Sequence, residues 1–351
     1  MKMQSIFTGR ILLRIALAGV IPVTVTLLFL WTGGWLAPER LTSDKLVNVL
    51  EKSSGVHPTY RRNHAKGICV LGRFISNGNA SVLSRASLFS RGETALTGRF
   101  AIAGGNPLAP DYAVPVRSMA LLFQQANGEQ WRTGMNAMPF FPVSSVEAFY
   151  QLQTATLPDT STGKVNPNKL NAFITNHPEV KPFFAWAKQY TPSTSWAIDR
   201  FNSLNAFRLI DKSGNSHLVR WSMVPAIKAD PVSDANKHDS DFLQKDLIQR
   251  LGQGALRWDL VITLAQAGDK SNDATKAWPA DRQTINAGTL VINQATPQQQ
   301  GPCNDINFDP LILPDGIAVS DDPILNARSS AYARSYNLRT REQAQQAGAK
   351  L

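Results

Sequence analysis

Cysteine is nearly absent: the 351 residues hold two, Cys69 and Cys303. They match neither a zinc-site spacing nor a C-x-x-C pair, which argues against a zinc centre and against dithiol redox chemistry. Two readings of them stay open: one disulfide made in an oxidising compartment, or two separate buried thiols. The chain also lacks any block of lysine and arginine, and any basic stripe interleaved with aromatics, despite a net charge of +10. A positive bias spread in this way gives nucleic acid no concentrated footprint. No internal repeat is present. Charge is missing altogether from one stretch, Ile15–Trp31.

That stretch lies within an apolar segment from Ile11 to Leu36, interrupted by Arg14, Pro22, Thr24, Thr26 and the Thr32-Gly33-Gly34 break. Its uncharged part is near the lower length for crossing a bilayer and is longer than the apolar core of a usual signal peptide. Trp31 and Trp35 suit a membrane interface, and Lys2, Arg10 and Arg14 on the other flank keep the N-terminus cytoplasmic. The expectation is a transmembrane helix that places the body of the protein in the periplasm. A buried core helix and a cleaved signal peptide are the rivals. Trp35 stands where a cleavage motif wants a small residue, so an uncleaved anchor is preferred. Residues 1–38 are read as the anchor or signal segment and 39–351 as the functional domain, long enough to bury a substantial core.

Past the anchor, 41–50 has the spacing of a short amphipathic helix, with Asp44 in its first turn. Ile68–Phe74, Leu96–Gly105 and Val116–Phe123 read as strands, and Asn127-Gly128 as a hairpin turn. Val146, Phe149 and Tyr150 fall at helical spacing. Residues 156–180 are polar and turn-rich, which predicts a loop, and 182–190 a short aromatic helix. Phe201–Leu209 and Leu218–Val224 flank another hairpin turn, 211–215; 241–251 reads as a helix, and Trp258–Leu264 and Thr289–Ile292 as strands. The tail from Glu342, rich in Gln, Ala and Lys, is expected to fray. Many short strands with intervening helices predict an α+β fold built on an antiparallel β-barrel.

Three short segments carry the chemistry. The first is Arg61-Arg62-Asn63-His64-Ala65-Lys66-Gly67. A histidine behind two arginines is by itself more often a surface residue than a catalyst. The second is Gly134-Met135-Asn136-Ala137-Met138-Pro139-Phe140-Phe141, and the third is Arg328-Ser329-Ser330-Ala331-Tyr332, with Arg339 beyond it. Taken in this order, a histidine, an asparagine before Pro-Phe-Phe, and Arg-x-x-x-Tyr near the C-terminus resemble the haem catalases. The wording around each motif is most similar to the compact catalase-related peroxidases.

The resemblance implies a catalase-like antiparallel β-barrel with surrounding helices, preceded here by the N-terminal helix, and a haem b cofactor. It assigns His64 as the distal acid–base, a role that suits an imidazole, and Asn136 as the amide that holds peroxide. Tyr332 becomes the iron ligand. A phenol must lose its proton to bind iron well, and Arg328, one helical turn earlier, favours that loss. Arg61, Arg99 and Arg339 are assigned to the anionic propionates, and Phe141 and Phe149 to the dry wall of the haem pocket.

Three departures from the large catalases accompany the match. Ala101 follows Arg-Phe where those enzymes usually carry a serine bonded near the histidine. Asn63 precedes His64 where they usually carry an apolar residue. The chain is also shorter. These departures predict a wetter, more open site in which a small organic reductant returns the electrons taken by hydrogen peroxide or an alkyl hydroperoxide. The alternatives are a true catalase, a hydroperoxide-rearranging enzyme of the same fold, and a non-catalytic haem-binding module. Keeping both His64 and Asn136 argues against the last.

Overall fold

Largely apolar sequence builds a long first helix, α1 (Lys2–Thr32), with Pro22 inside it. Its portion Arg14–Thr32 has a mean hydropathy of 2.1 over 19 residues. At 1.5 Å per residue this is roughly 28 Å, close to the hydrocarbon thickness of a bilayer. Ile15, Leu17, Ile21 and Phe29 on it are exposed. The computed structural model describes residues 2–33, 35–37, 39–227 and 238–349. Gly34 of the expected break and the domain boundary drawn at residue 38 fall outside the described residues. The chain divides into two units, Met1–Leu46 and Val47–Leu351.

The second unit is built on an antiparallel barrel. Its strands are β1 (Gly67–Ser76), β2 (Gly92–Ile102), β3 (Arg117–Gln124), β4 (Gln130–Asn136), β5 (Phe201–Asn202), β6 (Phe207–Ile210), β7 (Ser216–Pro225), β8 (Leu256–Leu264), β9 (Thr284–Pro297) and β10 (Ile317–Val319). The order β7-β5-β4-β3-β2-β1-β9-β8 closes on itself where β7 pairs with β8, giving eight strands in the ring; β6 and β10 extend it from β7. Closure removes the exposed edges that an open sheet would present. The turn expected at Asn127-Gly128 joins β3 to β4, with Gly128 at φ 88°, where glycine costs least.

Strand alternation divides the barrel wall into two faces. Inward, Phe74, Phe100, Phe123, Trp131, Phe201, Trp221 and Trp258 are completely buried. They pack ring on ring: Phe123 lies 4.9 Å from Trp131, and Phe100 lies 5.6 Å from both Trp196 and Trp258. Each such side chain contributes roughly 1.5–3 kcal/mol by leaving water. Outward, the same alternation puts Arg99 and Ala101 of β2, Ser118 and Ala120 of β3, and Gly134 and Asn136 of β4 on one shared face. The candidate site is built on that outer face.

Helices surround the barrel: α2 (Ser43–Ser54), α3 (Val146–Ala155), α4 (Pro167–Asn176), α5 (Lys181–Gln189), α6 (Phe242–Gln253) and α7 (Pro323–Gly348). Two expectations need correction. Residues 156–180 are not all loop, because they contain α4. Asn166 caps it by accepting from the Asn168 and Lys169 amides, with Pro167 in its first turn. The tail from Glu342 does not fray but continues α7 to Gly348. Gln, Ala and Lys are good helix formers, and Glu342 is tied to the buried Arg62, which also holds Glu51 of α2 at 2.6 Å.

Candidate active site

His64 sits in a turn held open by strain and hydrogen bonds. Its backbone has φ 54°, in the left-handed region that a side chain adopts at a cost. The Asn63 side-chain oxygen accepts from the amides of His64 at 2.9 Å and Gly104 at 2.8 Å. The Asn63 side-chain oxygen is thus spent on pinning the turn. Arg99 completes the clamp. Its Nη2 donates to the carbonyls of His64 at 2.6 Å and Ala65 at 3.1 Å, while Nε donates to Gln298 at 2.7 Å.

The imidazole faces β3. Ser118 Oγ lies 2.8 Å from His64 Nδ1 and donates to Asn136 Oδ1 at 2.7 Å. The hydroxyl expected to be missing with Ala101 is thus present, supplied from the neighbouring strand. Burial pushes the His64 pKa down to about 3, helped by the charges of Arg99, Arg328 and Arg61 and opposed by a hydrogen bond to the Ile102 backbone. The ring is neutral at physiological pH, as a general base must be.

The other part of the site is organised by α7. Asp322 caps the helix at the Ile324 and Leu325 amides, and Pro323 fits its first turn. One turn later, Arg328 Nη2 lies 3.0 Å from the Tyr332 hydroxyl and donates to Gly134 O at 3.1 Å. Its Nη1 donates to Asn205 Oδ1 at 2.9 Å, and Asn205 in turn donates to Asp322 at 2.8 Å. The tyrosine is therefore held by a chain of four side chains that begins and ends on α7. Both parts of the site hang from β4: Gly134 meets the Arg328–Tyr332 pair, and Asn136, two residues on, meets Ser118 beneath the histidine.

Beside them lies a cluster of cations, Arg99 and Arg339 buried and Arg61 half-buried. Burial lowers the pKa of all three, and neighbouring positive charge adds to it. Arg61 falls well below its ordinary value through burial, Arg99 and Arg339; Arg99 falls to about 9 through burial and Arg339; Arg339 falls chiefly through burial. Among the described residues none of the three pairs with a carboxylate, although Asp305 is close enough to favour the charges of Arg61 and Arg339. Arg61 Nη2 is held by the carbonyls of Cys303 at 2.8 Å and Ile306 at 3.1 Å, and Arg339 by Asn304 O at 2.8 Å. Arg61 Nη1 and Arg339 Nε are buried without a hydrogen-bond partner. Buried donors of this kind call for an acceptor, and an anion would relieve both defects.

Cys69 and Cys303 form a disulfide, which decides the question left open by their spacing. It fastens the 303–306 segment, and with it the carbonyls that hold Arg61 and Arg339, to β1. Phe141 and Phe149 meet each other at 5.6 Å between ring centres and pack in a satellite cluster with Val143 and Leu152. The structure thus brings His64, Asn136, Arg61, Arg99, Arg328, Tyr332 and Arg339 into one neighbourhood, with the phenylalanine pair as a separate contact. Sequence reasoning missed Ser118, Gly134, Asn205, Gln298 and Asp322 as parts of it. Ser118 had a signal in the strand register; the others had none.

The family model for catalase matches residues 43–347. A catalase-related peroxidase of Synechococcus elongatus is 40% identical over 307 residues, covering 87% of this chain and 91% of that protein. One from Mycolicibacterium paratuberculosis is 30% identical, covering 86% of this chain and 95% of that protein. Among solved structures, a bacterial catalase superposes with a TM-score of 0.71 at 23% identity, covering 80% of this chain and 57% of that one. That likeness shows the closed barrel with its helices to be the catalase fold. The family model spans all three motif segments and the peroxidase relatives match over nearly their whole length, so the chain belongs to the catalase family and, within it, to the catalase-related peroxidases.

Proposed function

We propose that the protein is a haem peroxidase that reduces hydrogen peroxide or organic hydroperoxides. The observation that carries this reading is the pairing of two unlike parts along one strand: a neutral histidine linked to an amide, and a tyrosine one hydrogen bond from an arginine. The residues fit a haem. Arg61, Arg99 and Arg339 form a cationic cluster with unpartnered N–H groups, suited to its propionates. Tyr332 would hold the iron, with Arg328 stabilising its phenolate. Phe141 and Phe149 would keep one side of the pocket dry. Haem b is the form we propose, and when bound it supplies the redox-active iron that peroxide oxidises and a donor re-reduces.

The chain's own part is proton handling. His64 Nε2 would take the proton from the inner peroxide oxygen and return it to the outer one, which leaves as water from hydrogen peroxide and as an alcohol from an organic hydroperoxide. Asn136 Nδ2 donates to the peroxide and holds it through that transfer. Asn63 and Arg99 keep the histidine backbone in place, so the ring need not reorganise. A small organic molecule is the proposed electron donor, with weak disproportionation of peroxide beside it. The test is a spectrum of the purified protein followed by paired assays of dye oxidation and oxygen release. A high-spin tyrosinate-type haem spectrum with dominant dye oxidation is expected. A haem-free protein refutes the reading, and catalase-like oxygen release with negligible dye oxidation refutes the donor assignment.

Residues 1–38 are proposed as an uncleaved anchor that holds the enzyme at the outer face of a membrane, in the periplasm. Both the apolar helix Arg14–Thr32 and the buried disulfide support export. Membrane-fractionated protein should keep its N-terminus, whereas a mature start near Pro38 would show a cleaved leader.

A further inference from the structure

Two groups must be set correctly for the proton transfer proposed above: the histidine must present a bare nitrogen, and the asparagine must present its N–H. One hydroxyl touches both. The Asn136 oxygen that faces Ser118 can only accept, so the hydrogen of Ser118 is committed to it. With that hydrogen spent, Ser118 Oγ can only accept from His64 Nδ1. Nδ1 therefore carries the ring proton, and Nε2 keeps its lone pair. The same bond fixes the amide the other way round, because an oxygen held by Ser118 turns Nδ2 away from β3.

We infer that Ser118 is a positioning residue for the peroxidase reaction, setting the tautomer of His64 and the orientation of Asn136 through a single hydroxyl. The inference rests on the haem peroxidase reading. The strand register explains its location. Ala101 of β2 is directly paired with Ser118 of β3, and paired residues share a face with their Cβ atoms roughly 4.5–5.5 Å apart. A hydroxyl on either member of this pair can reach the imidazole. This chain carries it on β3, next to Asn136, its own partner in the β3–β4 register. From position 118 the hydroxyl can serve both groups at once. Changing Ala101 alone to serine should accordingly gain nothing, since Nδ1 already has its acceptor.

The test uses haem-loaded protein and the association rate of cyanide. Hydrogen cyanide gives up its proton to a distal base as it binds, so the rate reports base and tautomer without peroxide turnover. Ser118→Ala should retain haem while cyanide association and kcat both fall about 10-fold or more, the scale on which loss of an outer hydrogen-bond partner acts. Ser118→Thr, which keeps a hydroxyl, and the exchange variant Ala101→Ser with Ser118→Ala, which moves it across the strand pair, should recover most of the rate. A merely structural serine would not be rescued from the neighbouring strand. Unchanged cyanide association in Ser118→Ala overturns the inference, as does a loss that neither hydroxyl-bearing variant recovers. The unmodified protein separates the two readings. If it holds no haem, the peroxidase reading falls and this inference with it; if it holds haem and Ser118→Ala behaves as wild type, only this inference falls.

Discussion

Adding one methyl group at Gly134 should disable the tyrosine side of the site while sparing the fold. The residue lies in ordinary strand backbone of β4, which alanine adopts freely. A Cβ there would sit 2.8 Å from Arg328 Nη2 and 3.3 Å from the Tyr332 hydroxyl. Comfortable heavy-atom contact is about 3.5–4.0 Å, so the guanidinium must retreat by roughly 0.7 Å or more. It has little freedom to do so, because its fork is tied to Asn205, Gly134 O and Tyr332 together. Retreat weakens the bonds to Gly134 O and Tyr332. Losing one hydrogen bond to a charged group costs about 1.5–3 kcal/mol, which is about 10- to 150-fold in haem retention at 1.4 kcal/mol per decade. The assay is haem release to an excess of a tighter haem acceptor, with the Soret spectrum followed alongside and thermal unfolding as the control for fold. Gly134→Ala with an unchanged spectrum and release rate would show that the Arg328–Tyr332 contact does not govern haem binding.

The remaining predictions concern the histidine, the ligand and the disulfide. The His64 pKa is lowered from 6.5 to about 3. Its neutral form is the one the fold favours, so its contribution to stability is complete above about pH 6.5 and is lost as pH falls towards 3. His64→Ala should therefore lose turnover by at least ~10²-fold yet flatten the acid limb of stability between these values; an acid limb identical to wild type in thermal unfolding would contradict the buried, neutral ring. Tyr332→Phe should fail to retain haem or shift its spectrum strongly, and an unchanged spectrum would place the ligand elsewhere. Replacing both Cys69 and Cys303 by serine removes a link across 234 residues, worth up to about 5 kcal/mol by chain entropy. Haem retention should weaken along with stability, because the released segment carries the carbonyls that hold Arg61 and Arg339; a variant that melts earlier but holds haem equally well would separate the two effects.

The fold was largely legible because its strands alternate and its turns are written in Asn-Gly and Gly-Asn. What escaped was set by tertiary contact. The tail of α7 has good helix formers, but its persistence depends on Glu342 meeting Arg62, which is distant in sequence. The 156–180 region did carry a helix signal, Asn166 before Pro167, and a polar composition hid it. Within the site, the residues with unusual chemistry at short spacing were readable: His64 behind its arginines, Arg328 one turn before Tyr332. Asn205 and Asp322 were not, since each is an ordinary polar residue until the fold brings them together. Composition could not choose between two thiols and a disulfide either, because the pairing requires β1 and the 303–306 segment to be neighbours.

The two departures that seemed to open the pocket show how far single positions can mislead. Asn63 replaces an apolar residue, and read alone it adds a polar wall. In the folded chain its oxygen is saturated by the His64 and Gly104 amides, so its effect is to stiffen the base. Ala101 replaces a hydroxyl, and read alone it frees the histidine. In the folded chain its strand partner, Ser118, provides the hydroxyl and adds a bond to Asn136. At Ala101 the change moves the task to another residue, and at Asn63 it adds a bond to the turn. The His64–Ser118–Asn136 chain of hydrogen bonds is intact, so a preference for an organic donor over a second peroxide, if the paired assays find one, would not trace to a missing hydroxyl beside the histidine. Such a preference would then arise from what reaches the site, which the paired dye and oxygen assays measure.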